Sequence, residues 1–133
     1  MPKWFSLVLL ATLLFIPFPA QAQEQIAFEQ VAVQLWPEYD TPDMLVILNL
    51  QLSADIPLPT QVKMRLPGSV EEPYVVAIGQ TPQTVTDQGI EYTYKKNGDW
   101  LETNITAIGS AIRIEYYDPG LTRIEDQRTF EFN

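Results

Sequence analysis

From Ile26 onward, apolar residues recur at every second position, and prolines or glycines stand wherever the alternation stops. A period of two marks a half-buried strand, because successive side chains point to opposite faces. Ile26 and Phe28 share one parity and Val31, Val33 and Leu35 the other, which predicts a bulge or a change of sheet between them. Met44, Val46, Leu48, Leu50 and Leu52 alternate with positions that turn polar at Asn49 and Gln51; Val62, Met64 and Leu66 alternate with Gln61, Lys63 and Arg65. Tyr74–Ile78 is a short apolar run suited to a strand buried on both faces. Ile90–Tyr94, Leu101–Ile105, Ile112–Tyr116 and Phe130–Phe132 complete the series. Pro37, Pro42, Pro57, Pro59, Pro67-Gly68, Pro73, Pro82 and Pro119-Gly120 fall between these runs, as turn residues should. Asn97-Gly98 is the strongest hairpin signal and predicts a type I′ turn. The pattern predicts an all-β fold, an antiparallel β-sandwich of immunoglobulin-like type with about seven to nine strands. A small barrel is the alternative closure.

The first 22 residues read as an address. Lys3 gives a short positive region, Trp4–Ile16 a 13-residue apolar run, Pro17 and Pro19 a break, and Ala20-Gln21-Ala22 a small-x-small cleavage pattern. Thirteen residues rise only about 20 Å as a helix, short of the roughly 30 Å hydrocarbon core. A cleaved secretory signal is expected, with residues 23–133 as a single exported β-sandwich domain, extracellular or at the cell envelope. No later run approaches spanning length, so the exported chain is expected to have no transmembrane segment.

Removal of the leader leaves 111 of the 133 residues, with seven Lys+Arg against 17 Asp+Glu and a net charge of −10. This balance, without a basic stretch, argues against nucleic acid as a partner. The chain has no His and no Cys, which excludes disulfides, Cys/His zinc sites, catalytic thiols and imidazole acid–base chemistry. A hydroxyl nucleophile would need Lys63, Lys95 or Lys96 as its base. Lys63 falls at an outward strand position and the other two flank an exposed turn, so none is a desolvated amine. Glu71-Glu72, Glu125-Asp126 and Glu38/Asp40 read more simply as solvated loop charges than as glycosidase pairs. The chain is expected not to be an enzyme.

Glu38, Asp40 and Asp43 place three carboxylates within six residues of one inter-strand loop. They make a candidate calcium site, against the plainer reading of Asp40 and Asp43 as turn caps. Met44 and Met64 are in phase with aliphatic neighbours and read as core fillers rather than copper ligands. Tyr92, Tyr94 and Tyr116 are in phase with Ile90 or Ile114 and are assigned to the core. Trp36, Tyr39, Trp100 and Tyr117 lie out of phase or in a loop. They are the candidate ligand-binding residues, since planar rings stack on the apolar faces of sugars. Asn104-Ile105-Thr106 is a formal glycosylation sequon set in a strand.

Leu35-Trp36-Pro37-Glu38-Tyr39-Asp40 precedes the strand Met44-Leu45-Val46-Ile47, and Pro57-Leu58-Pro59-Thr60-Gln61-Val62-Lys63-Met64-Arg65-Leu66-Pro67 and Ile114-Glu115-Tyr116-Tyr117-Asp118-Pro119 follow. This succession resembles secreted β-sandwich proteins of filamentous, Chloroflexi-like bacteria, over most of the chain beyond the leader. The resemblance implies a module at the cell envelope, sometimes ahead of further domains or an anchor, and carries over no catalytic residue. The sequence ends at Phe130-Glu131-Phe132-Asn133, within an expected strand, so a fragment of a longer anchored protein and a naturally short form are both expected forms. The functional expectation is a noncatalytic exported binding module, with polysaccharide the leading ligand. The alternative is a structural or protein-interaction module that meets an envelope protein by strand addition, the final segment being the natural edge.

Overall fold

The computed structural model describes residues 25–132, so the expected leader and its cleavage site lie outside the described residues. The alternating segments form nine strands among the described residues: β1 (Phe28–Pro37), β2 (Met44–Leu52), β3 (Thr60–Pro67), β4 (Val75–Gly79), β5 (Tyr92–Asn97), β6 (Trp100–Ala107), β7 (Ala111–Asp118), β8 (Thr122–Ile124) and β9 (Gln127–Thr129). A four-stranded sheet in the order β1-β2-β7-β4 packs on a three-stranded sheet in the order β3-β6-β5, and β8-β9 form a separate hairpin. Every pairing is antiparallel. Both sheets keep open edges, so the fold is the expected sandwich rather than a barrel. The strand order differs from that of the immunoglobulin fold. Here β7 fills the slot between β2 and β4, and β5 takes the edge beside β6, an exchange of the fifth and seventh strands. The short β5–β6 turn accounts for the place of β5, because strands joined by two residues pair with each other.

Val46, Leu48, Leu50 and Leu52 of β2, Ile112, Ile114 and Tyr116 of β7, and Val76 and Ile78 of β4 face Val62 and Leu66 of β3 and Leu101 and Ile105 of β6. Each aliphatic side chain buried so fully contributes about 1.5–3 kcal/mol. Met44 belongs to this core and Met64 packs against it, as the periodicity requires. The core's largest side chain is Tyr116, and burial, with Asp118 nearby, pushes its phenol up to about 12.

The parity change in β1 is a register shift between Phe28 and Gln30. Four local expectations need correction. Asn97 pairs with Trp100, so Gly98-Asp99 are the turn residues; only Gly98 has positive φ, +61°, which is type II′ rather than I′. Phe130–Phe132 form no strand. Phe130 packs on the core instead, and the β8-β9 hairpin before it lacks the apolar alternation that would have announced it. Tyr74 is exposed, and only Val76, Ala77 and Ile78 of its run are buried. Tyr92 and Tyr94 lie opposite the inward residues Ile105 and Thr103 yet are exposed, because β5 is an edge strand.

The same geometry operates at the opposite flank. Tyr92 of β5 lines one cleft with Pro73 and Tyr74, which immediately precede β4, so the three-stranded sheet lies toward the β4 side. That leaves β1 overhanging. Its Val31, Val33 and Leu35 pair with the core residues Leu50, Leu48 and Val46, but are 57, 40 and 44% exposed.

Candidate functional site

Strand register assembles the outer face of the four-stranded sheet row by row. Trp36, Leu45 and Tyr117 form the first row, and Gln34, Ile47, Glu115 and Val75 the second. Ala32, Asn49, Arg113 and Ala77 form the third, and Gln30, Gln51, Ala111 and Gly79 the fourth. One end of the face is therefore aromatic and the other rich in amides.

At the amide end, Gln30, Gln34, Asn49, Gln51 and Arg113 line a groove of about 490 Å³, walled by Pro82, Gln83 and Val85. That size lies within the roughly 300–1,000 Å³ usual for small-molecule sites. Arg113 Nε donates to Asn49 Oδ1 at 2.8 Å and Nη2 to the Pro82 carbonyl at 3.4 Å. A guanidinium has five N–H donors, so these two bonds orient the group while others face the groove. Residues 80–86 are held back over the sheet by paired backbone bonds between Ile78 and Thr86 of 2.9 and 3.0 Å. Two close approaches require glycine: a Cβ on Gly109 would stand 2.3 Å from the Gly79 carbonyl oxygen, and one on Gly79 2.6 Å from that of Thr84.

At the aromatic end, Trp36 and Tyr39 meet edge to face with centroids 5.4 Å apart, and Tyr74 and Tyr117 likewise at 5.0 Å. The Tyr117 hydroxyl donates to Asp40, and that bond holds its pKa above the ordinary tyrosine value. Beside Tyr117 opens a cleft of about 580 Å³, in which Asp43, Glu71 and Glu72 accompany Tyr74 and Tyr92. Tyr94 donates to Glu72 at 2.9 Å and is raised chiefly by that bond. Lys96 donates to the carbonyls of Gly68 and Val70 and stands 3.8 Å from Glu71.

Three of the four ring candidates, Trp36, Tyr39 and Tyr117, thus converge. Trp100 does not join them; it stands on β6 in the other sheet, paired with Pro67 and Asn97. Trp36 and Tyr39 are perpendicular at 87°, so they form a corner rather than one flat platform. The three acids of the calcium candidate are drawn apart. Glu38 accepts from Arg123 at 2.6 Å and Arg128 at 3.1 Å, which lowers its pKa, while Asp40 accepts from Tyr117. Among the described residues no three acids gather into a set that could hold a metal ion. No helix among them is long and apolar enough to cross a membrane.

Arg113, Asn49, Gln51, Gln30 and Gln34 were not singled out in the sequence, although their parity already marked them as outward. What was missing was the adjacency of β1, β2 and β7, which converts scattered polar positions into one ladder. No protein-family model matches the chain, and comparison with curated proteins and with solved structures returns no match.

Proposed function

We propose that this chain is a noncatalytic, exported module that binds polysaccharide along the outer face of its four-stranded sheet. The observation that carries the reading is the continuity of that face: the Trp36–Tyr117 row leads directly into the amide and guanidinium rows. A sugar ring offers an apolar face for stacking and hydroxyls for hydrogen bonds, and these rows supply partners for both. The leader pattern at Met1–Ala22 supports export, and the absence of His and Cys removes the commonest general base and nucleophile pairs. Affinity electrophoresis through gels containing a panel of soluble polysaccharides tests the reading. Retardation by one glycan should be lost in Trp36→Ala with the fold intact; migration unchanged in every gel refutes it.

The β1 flank favours a second reading, a protein contact by strand addition. Val31, Val33 and Leu35 present apolar side chains at every second position, and β3, at the edge of the facing sheet, has unpaired backbone groups. Lys63 and Arg65 are exposed on β3, so the strand that fits alternates apolar residues with acids. A soluble alternating Val/Glu peptide should bind the protein and be lost in Val33→Lys. Equal binding by both forms, or by neither, rejects this reading.

A further inference from the structure

We infer that the polysaccharide carries carboxylate groups and that Arg113 reads them; this rests on the reading of the outer face as a glycan site. The lining of the Arg113 groove includes one guanidinium, five amides and no acid. In a chain of net charge −9, such a patch is a local exception. Arg65, Lys96, Arg123 and Arg128 are in ion pairs; Lys63 and Lys95 make none, and Arg113 is the one arginine among the described residues without a salt bridge. Its Nε is fixed by Asn49 and one Nη by Pro82, so the fork is oriented before any ligand arrives. A planar fork pairs best with a planar carboxylate.

The aromatic row fixes the spacing. Tyr117 and Arg113 are four residues apart on β7, about 13 Å along the strand. A glycan stacked on the first row therefore places a sugar two or three units along at Arg113, where the flanking amides take its hydroxyls and the guanidinium its carboxylate. Glu115 lies between the two rows, so a ligand carboxylate is favoured at the Arg113 end and disfavoured midway.

Generic attraction of a polyanion would look different. It would settle on Lys63, Arg65 and Lys95, which line a hollow on the outer face of the three-stranded sheet. The test is affinity electrophoresis on polygalacturonate, alginate and hyaluronan, each beside its carboxyl-reduced form, with dextran sulfate as a generic polyanion. The protein should bind one uronate polymer at least tenfold more tightly than its reduced form and than dextran sulfate. Arg113→Gln should abolish that preference. Gln34→Glu, an exposed change that leaves the Arg113 bonds in place, should abolish it as well, and Lys63→Gln with Lys95→Gln should not. Equal binding of a uronate and its reduced form overturns this inference and leaves the glycan reading standing. Strongest binding to dextran sulfate, lost with Lys63 and Lys95, overturns it in favour of generic charge. Retention of no polymer overturns both.

Discussion

The amide groove and the tyrosine cleft have similar size and opposite chemistry. The amide groove holds one cation and no acid, and the tyrosine cleft three acids and no cation. The first is built mainly from strands, so its chemistry follows from residue parity on β1, β2 and β7. The second is built mainly from loop residues such as Asp43, Ser69, Glu71 and Glu72, and its shape depends on how those loops close. A site on a sheet face inherits the rigidity of the ladder, and a site in loops inherits their freedom. The difference argues that selectivity belongs to the groove and adaptability to the cleft.

The largest expected effect separates the two directly. Gly109→Ala sets a Cβ against the Gly79 carbonyl, and Gly79 is in turn packed beneath Thr84. Residues 80–86, which wall the groove, must move. We expect a loss of about 2–3 kcal/mol in urea denaturation, the cost of overpacking. The native fraction should lose glycan binding while Tyr94 keeps its bond to Glu72. Unchanged stability and binding would show that the 80–86 wall does not shape the groove.

A second contrast lies in pH. Tyr116 is raised to about 12 by burial and Tyr117 is raised by its bond to Asp40. The sign follows from linkage: a folded pKa above the unfolded one adds stability at pH below the unfolded value of about 10, and that stability is lost as pH rises through the folded value. For Tyr116 the shift corresponds to about 2–3 kcal/mol. Absorbance titration at alkaline pH should show three late tyrosines, Tyr94, Tyr116 and Tyr117, and Tyr117→Phe should remove one of them. Tyr117 lines the cleft and no tyrosine lines the groove, so the cleft should change before the groove does. A titration with every phenol ionising near its ordinary value would contradict the contrast.

Much of the sandwich was legible because period-two alternation and proline punctuation are local signals. Residues 44–52 and 112–116 read as strands, and the bulge before Val31 showed as a change of parity. Local pattern could not show which strands are edges. That is why Tyr92 and Tyr94, in phase with core residues, emerged exposed, and why the outward Arg113 attracted no notice until β7 was placed between β2 and β4. Trp36, Tyr39 and Tyr117 were identified from phase or loop position, but their convergence depends on the pairing of β1 with β2 and β2 with β7. The acids of the Glu38–Asp43 loop misled because their partners, Arg123, Arg128 and Tyr117, lie far away in sequence.

Thr103, on β6 in the other sheet, offers a control for both hollows. Its hydroxyl is buried in the core without a hydrogen-bond partner among the described residues. Replacing it with an isosteric methyl removes a desolvation cost, so Thr103→Val should raise stability by about 1 kcal/mol in urea denaturation. Binding at either hollow should be unchanged. A loss of stability would mean that the hydroxyl has a partner, such as a buried water.

The smallest expected effect concerns the loop that borders the aromatic end. Glu38 has φ +52°, a left-handed conformation that costs energy in any residue with a Cβ, and its carboxylate joins Arg123 of β8 to Arg128 of β9. The bonds to Arg123 and Arg128 lower its pKa below the ordinary 4.5. A lowered folded pKa adds stability at pH above the unfolded value, and that stability disappears as pH falls through the folded one. The pair is exposed, so its effect is local. Glu38→Gln should leave the global unfolding midpoint nearly unchanged while amide exchange in residues 122–129 accelerates. Acidifying the native protein below pH 4.5 should lower the protection of the same amides relative to their intrinsic exchange rates, and the variant should lose that pH dependence. Since Asp40 lies two residues on and accepts from Tyr117, any loosening that reaches the aromatic row should weaken stacking there and leave the carboxylate preference at Arg113 intact. Exchange that is equally slow in both forms would place the anchorage of the β8-β9 hairpin elsewhere, with Phe130 against the core as the remaining tether.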